Sequence, residues 1–379
     1  MKKIKWGIRL ELLLLAAVGC VCLMKELHMY RQAKSLPTQE ESGESARDMK
    51  DMEDIEGGEA IEVSTDGNFI KWVDFNITND ALSKAYELDT ASYGKDIHVD
   101  WIELLAYVGA RHGGKFDKKS VSELQDTAEK LQSGETTIEE LSKDMEYYDY
   151  YEEAYEAVLG GMVGEFSIEV QAEGTEEKEW KDYYGLKAFS PIAKGFEYSH
   201  YDDFGSSRSY GYARPHLGHD MMGQIGTPII AIESGYVEAL GWNQYGGWRI
   251  GIRSFDGKRY YYYAHLRQNF PYNKSLEEGS IVTAGDVIGY MGHTGYSATE
   301  NVNNIEVVHL HWGMQLIFDE SQKDSDNEIW IDCYELTKFL YKNRSQTQKD
   351  EATKEWNRVY NMRDPAVENH CKNEVPMIQ

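Results

Sequence analysis

The stretch WRIGIRSFDGKRYYYYAHL, residues 248–266, reads as an antiparallel hairpin. Its arms, Trp248 to Arg253 and Arg259 to Leu266, are rich in β-branched and aromatic residues. Between them, Asp256-Gly257 supplies the turn chemistry that reverses a chain within a few residues. Outward from this hairpin, everything after Gly164 follows the same grammar: glycines alternate at short spacing with Thr, Val, Ile and Tyr segments, as in a β-rich domain. A helical pattern returns near Tyr334 to Tyr341, and from Ser345 the chain is polar.

Before Gly164 the period changes. Trp101, Leu104, Leu105 and Val108 fall at i, i+3, i+4 and i+7, which makes one apolar helical stripe. Ser120 with Glu123 and Thr136 with Glu139 have capping-box spacing, and Gly113-Gly114 and Gly160-Gly161 read as stops. Asn79 to Gly161 is therefore expected to form a bundle of four or five helices. Tyr148, Tyr151 and Tyr155 recur at helical spacing and are expected in its core, which leaves little of the tyrosine cluster for stacking on sugar rings. Glu103 has no identifiable partner carboxylate for glycosidase chemistry and is assigned to a solvated helix face.

The 379 residues carry 39 Lys and Arg against 65 Asp and Glu, a formal charge of −26, and so acidic a surface repels a phosphate backbone. Nucleic-acid binding is excluded on that ground. Lys2, Lys3, Lys5 and Arg9 precede an apolar run, Leu12 to Met24, the arrangement of an export signal or a single-pass anchor. Ser35 to Glu62 is acidic and poor in aromatic and β-branched residues, as in a solvated tether. The expected class is α+β: a membrane or signal segment with its short cytoplasmic stub (1–24), an acidic linker (25–70), a small helical domain (71–170), a mainly antiparallel β-sheet domain (185–345) and a polar C-terminal tail (346–379). Cys333 and Cys371 fit one disulfide or two free thiols equally, and no cysteine spacing suits a metal cage.

Three groups of residues carry the chemistry. In PHLGHD, residues 215–220, His216 and Asp220 point the same way on an extended chain while His219 points the other, and Gly218 leaves the space between them open. In VHLHW, residues 308–312, His309 and His311 share a strand face and Leu310 turns to the core. In YAHL, residues 263–266, alternation places His265 with Tyr263 on one face and Ala264 with Leu266 on the other. Two neutral imidazoles and one carboxylate, with a fourth position left to water, make a catalytic zinc site. The remaining histidines are then free to move protons or to stabilise an oxyanion. Spacing alone leaves open which of His309 and His311 is the ligand.

This order of motifs, with Gly226-Thr227-Pro228-Ile229, Gly235, Gly279, Gly285, Gly289, Gly292 and Thr294-Gly295 around it, resembles the lysostaphin-type (LytM-like) zinc metallopeptidases that cut peptide links in bacterial peptidoglycan. The resemblance spans about Phe189 to Leu316 and implies that His216, Asp220 and His311 bind one zinc ion while His265 and His309 form the catalytic pair. It implies a zinc metalloendopeptidase acting on stem peptide or cross-bridge in cell-wall remodelling. With the N-terminal run it implies a membrane-anchored, extracytoplasmic protein, or a secreted one after signal cleavage. His219 and His293 match no functional position of the family. Arg267 to Glu278 and Ser297 to Val308 are longer than is usual, so the expected cleft is flanked by loops that narrow or block it. Two other readings stay open: a catalytically silent or partner-activated envelope scaffold on the same fold, with the helical domain taking a protein partner, and a wall adhesin built on the tyrosine-rich helices.

Overall fold

The computed structural model describes residues 69–374 apart from 173, 175, 176, 212 and 324. The expected anchor or signal segment and nearly all of the acidic linker lie outside the described residues. Five helices come first: α1 (Asn79–Ser92), α2 (Trp101–His112), α3 (Lys118–Gln132), α4 (Ile138–Ser142) and α5 (Tyr148–Leu159). Asp100 caps α2 by accepting from the amides of Ile102 and Glu103, and Gly113 ends it in the left-handed region at φ 60°. Two caps differ from the sequence expectation. Asp117 is the N-cap of α3 with Ser120 at its third position, and Thr137, not Thr136, caps α4. At α4 the adjacent threonine takes the position, and at α3 a carboxylate three residues earlier does, with Ser120 completing the box by accepting from the Asp117 amide.

No helix among the described residues is long and apolar enough to cross a membrane.

Next come β1 (Val163–Gln171) and β2 (Lys178–Leu186), a hairpin whose register crosses the boundary expected near 170–185. The sheet domain contains β3 (Ser199–His200), β4 (Ser207–Arg208), β5 (Arg214–Pro215), β6 (His219–Met222), β7 (Pro228–Ile230), β8 (Gly235–Asn243), β9 (Gly247–Ser254), β10 (Arg259–Ala264), β11 (Ile281–Val282), β12 (Val287–Tyr290), β13 (His309–Leu316) and β14 (Ile329–Trp330). α6 (Tyr334–Leu340) follows, and the chain closes with β15 (Thr347–Lys349), β16 (Trp356–Arg358), β17 (Met362–Arg363) and α7 (Pro365–Glu374). The main sheet runs β11-β8-β9-β10-β13-β6-β3, with β14 against β13, and its pairings are antiparallel. The hairpin at 248–266 forms as read: Tyr260 pairs with Arg253, and Gly257 turns at φ 75°.

Alternation along the central strands gives the sheet two unlike faces. Ile250 and Ile252 of β9, Tyr261 and Tyr263 of β10, and Leu310, Trp312, Met314 and Leu316 of β13 are buried on one face. They share one hydrophobic core with the helices, including Leu82, Leu104, Leu105 and Tyr155. α6 carries this packing: Trp312 Nε1 donates to Thr337 Oγ1, and Phe339 stacks on Trp101 at 5.8 Å.

A charged network also lies on that face. Arg259, 1% exposed, donates to Glu233 from Nε (2.8 Å) and Nη2 (3.1 Å), and to Asp256 from Nη2 (2.7 Å). Its Nη1 donates to the carbonyl of Ala157, at the end of α5, at 3.0 Å.

The tail read as merely polar folds back on the body. β17 pairs with β1, and Asp364 accepts from Lys187 Nζ at 2.9 Å and from Ser234 Oγ at 2.7 Å. Tyr148 and Tyr155 are buried as their spacing requires, whereas Tyr147 is exposed and Tyr150 stacks on the exposed Trp72. Glu103 is half-buried, not solvated, and burial together with the Asp100 and Glu152 charges lifts its carboxyl to about 7. Cys333 and Cys371 are both free, the first buried and the second exposed.

Candidate functional site

The opposite face of the sheet carries the site. Antiparallel register sets His311 beside Asp220 on one side and Ala264 on the other, and sets His309 beside Met222. His216 lies just before β6, and Gly218 lets the chain bring it over the strand. A Cβ on Gly218 would lie 2.5 Å from Cε1 and 2.6 Å from Nε2 of His311, so only glycine leaves that imidazole its place.

Three side chains converge. His216 Nε2 lies 3.0 Å from Asp220 Oδ1 and 2.8 Å from His311 Nδ1, and His311 Nδ1 lies 3.0 Å from Asp220 Oδ1. These atoms form the one group of three or more His, Cys, Asp or Glu ligands close enough to hold a metal ion among the described residues. Tetrahedral zinc with bonds of ~2.1 Å separates its ligand atoms by ~3.4 Å, so a small outward adjustment of this triangle accommodates the ion. The donor set, two imidazoles and a carboxylate, is that of a catalytic zinc site and fits the metal.

A second layer of contacts fixes these ligands. His216 Nδ1 faces Asp203, whose backbone oxygen and Oδ2 are each 3.2 Å away. Arg208 Nη2 joins Asp203 Oδ2 (2.7 Å) to Asp220 Oδ2 (3.0 Å), leaving Oδ1 of Asp220 toward the imidazoles. Burial opposes charge on His216, but the Asp203 and Asp220 carboxylates outweigh it and hold the ring up at about 9. Burial likewise penalises the Asp220 carboxylate, yet the surrounding histidines keep its pKa far below the usual range. Burial pulls His311 down, with partial opposition from Asp220.

Two further imidazoles complete the cluster. The His265 ring centre is 4.7 Å from that of His309 and 5.8 Å from that of His311. His265 departs from the expected alternation. β10 ends at Ala264, and His265 adopts φ 61°, which swings its ring to the site face while Tyr263 stays in the core with its hydroxyl accepting from the Ile232 amide. His265 Nδ1 donates to the carbonyl of Thr294 at 3.0 Å, and His309 Nδ1 donates to that of Val307 at 2.8 Å. Each Nε2 is therefore left with its lone pair, and that of His309 lies 3.7 Å from Asp220 Oδ1. Burial, followed by the neighbouring His309 and His311, holds His265 well below its ordinary value, so it is neutral at pH 7.

The other two histidines singled out in the sequence sit elsewhere. His219 is buried beneath the strand with its Nε2 2.8 Å from His200 Nδ1, and His293 Nδ1 donates to Ile305 O within a turn.

The long loops do flank the cleft, and they brace one another. Asn301 Oδ1 accepts from Trp248 Nε1 and from the Asn269 amide, and Gln268 Nε2 donates to Asn301 O. Tyr296 stacks on Tyr210 at 4.6 Å and stands edge-on to His265 at 6.0 Å. Sequence reasoning found the five cluster residues but missed Asp203, Arg208 and this tyrosine pair. Nothing in their local spacing marks them, because the partners that hold each at the site lie elsewhere in the chain.

Residues 214–325 match the model of Peptidase family M23. The chain is similar to the L-Ala--D-Glu endopeptidase of Bacillus subtilis (strain 168), 38% identical over 130 residues, which are 34% of this chain and 38% of that protein. It is also similar to lysostaphin of Staphylococcus simulans, 40% identical over 89 residues, 23% of this chain and 17% of that protein. The chain thus spans well under half the length of these curated relatives. Among solved structures, the catalytic domain of lysostaphin from Staphylococcus simulans aligns at 34% identity over 31% of this chain and 80% of that one, with a TM-score of 0.26.

Proposed function

We propose that this chain, whose residues 214–325 match Peptidase family M23, is an extracytoplasmic zinc endopeptidase that hydrolyses a peptide bond of bacterial peptidoglycan. The observation that carries this reading is the convergence of His216 Nε2, Asp220 Oδ1 and His311 Nδ1 beside two imidazoles whose outer nitrogens are free to take a proton. The family is zinc-dependent, and His216, Asp220 and His311 are the residues that would hold the ion. When bound there, zinc supplies Lewis acidity that polarises a carbonyl and acidifies water.

The chain's own residues then have separate tasks. His265, neutral through burial and fixed by Thr294, accepts a proton at Nε2 and returns it to the leaving amine. His309, fixed by Val307 through Nδ1, takes a proton at Nε2 and only then donates from that nitrogen to the developing oxyanion. Arg208 and Asp203 keep Asp220 and His216 aimed at the ion. The Bacillus subtilis relative is named for an L-Ala--D-Glu bond, and a further relative, the glycyl-glycine endopeptidase ALE-1 of Staphylococcus capitis (37% identical over 89 residues), for a glycine link, so both stem peptide and cross-bridge are candidate substrates. The extracytoplasmic placement rests on the cationic flank and apolar run at the N-terminus.

Mass spectrometry of muropeptides after incubation of the zinc-loaded chain with purified peptidoglycan tests the reading. New peptide ends are expected from the native chain and none from His309→Ala, which should still bind one zinc. Native protein that binds zinc and yields no new ends would favour the scaffold reading, and turnover by His309→Ala would remove that residue from the mechanism.

A further inference from the structure

The site face of the sheet extends past the histidine cluster. Asp220, His311 and Ala264 are lateral neighbours on β6, β13 and β10. Tyr263 pairs with Ile250 on β9, so the next position along, Arg249, continues this row opposite Ala264 and faces away from the core. At ~4.8 Å per strand, Arg249 begins two strands, roughly 10 Å, from His311. Ala264 between them is small and leaves the row open.

Arg253, four residues on and on the same face, is paired with Glu238 and Glu320. Arg249 is half-buried and has no carboxylate within 4.0 Å among the described residues, in a chain of net charge −26. A second guanidinium approaches from the cleft wall. Arg214 of β5 lies over the rings of Tyr245 (4.7 Å) and Tyr296 (5.7 Å), and its Nη1 donates to Tyr210 O at 2.8 Å. Tyr296 is the ring that stands edge-on to His265. Burial raises the Tyr262 hydroxyl, and the charges of Arg249 and Arg214 both pull against that rise. Both therefore lie near the tyrosine whose ring is edge-on to His311 at 5.9 Å.

We propose that Arg249 and Arg214 form a subsite for a carboxylate carried by the substrate within one or two residues of the cleaved bond, so that the preferred substrate is an anionic peptide and not an uncharged glycine bridge. This rests on the peptidase reading. A planar guanidinium presents paired N–H donors that match a carboxylate, and tyrosine faces hold that plane in place at little entropic cost. The roughly 10 Å between Arg249 and His311 is spanned by one or two extended residues together with the side chain that carries the carboxylate. The overall negative charge repels anionic peptides at long range, so recognition has to be local and built into the cleft.

The test compares two synthetic peptides identical except that a glutamyl carboxylate beside the scissile position is replaced by its carboxamide. Calorimetry with the full chain in metal-free form removes the ion as a competing carboxylate site. The carboxylate peptide is expected to bind about 10-fold more tightly than the amide, a difference of about 1.4 kcal/mol. Arg249→Gln and Arg214→Gln, tested separately with circular dichroism to confirm folding, should each cut that discrimination to about 2-fold or less, and Arg249→Lys should retain part of it. Equal binding of the two peptides, no binding of either, or discrimination that survives both Gln variants overturns the subsite. Hydrolysis by the zinc-loaded chain is followed in parallel. Discrimination in binding with no hydrolysis upholds the subsite and refutes the peptidase reading, whereas hydrolysis without discrimination does the reverse.

Discussion

Replacing Arg259 with Met tests how firmly the helices are tied to the sheet. Methionine keeps much of the aliphatic bulk but removes five donors' worth of contact in one step. Glu233 loses its paired N–H donors and keeps only the Tyr261 hydroxyl, at 2.6 Å, while the Ala157 carbonyl at the end of α5 loses its partner. Removing one member of a buried ion pair costs about 3–5 kcal/mol, because the surviving charge stays buried without compensation, so Arg259→Met should destabilise the chain by about 4 kcal/mol. Glu233→Met in the same background removes that stranded charge. The double variant should then be only about 1–2 kcal/mol less stable than the native chain, the remainder reflecting the orphaned helix carbonyl and tyrosine hydroxyl. The coupling between the two positions should thus be at least about 2 kcal/mol. Urea unfolding in metal-free form, read by tryptophan fluorescence and far-UV circular dichroism, measures the native chain, Arg259→Met, Glu233→Met alone and the double variant without a contribution from bound ion. A loss below about 1 kcal/mol in Arg259→Met, or additive effects in the double variant, would refute the argument that this network anchors α5 to β10.

Three further outcomes follow from the site. Gly218→Ala should weaken zinc binding at least about 10-fold, because its Cβ occupies the place of the His311 ring; unchanged affinity in a chelator competition would show that the ring can move freely. Zinc binding should also tighten with pH. The metal-free His216 is raised to about 9 and must lose its proton to bind the ion, so apparent affinity should rise about 10-fold per unit from pH 7 and level off near 9. The same raised value means that the His216–carboxylate interaction stabilises the metal-free fold fully below about 6.5 and is lost as pH passes through about 9. A pH-independent affinity over that span would show that His216 is already neutral. Finally, at a free zinc concentration 100 times Kd the ion should stabilise the native chain by about 2.7 kcal/mol, and chelation should remove this increment in the native chain but have no effect on His311→Ala.

Local spacing determined the hairpin at 248–266, because its turn chemistry and its arms lie within one short stretch. The same holds for the ligand pairs: His309 and His311 share a face through strand alternation, and Gly218, which has to be small, leaves room for His216 and Asp220 to meet them. The apolar stripe of α2 and the burial of Tyr148 and Tyr155 also follow from period alone.

Only the tertiary structure decided how these pieces meet. His265 reaches the cluster by leaving β10 at φ 61°, a single backbone angle that alternation cannot anticipate. Asp203 steadies the ligands from a loop and Arg208 from the short strand β4, Asn301 braces two loops, and β17 returns nearly two hundred residues to pair with β1. Arg259, which the sequence marks only as the start of a hairpin arm, is buried against Glu233 and the end of α5. The physical reason is the same in each case. Residue type and spacing fix which face of an element a side chain occupies, whereas its partner across the core is chosen by long-range packing, which carries no local signature.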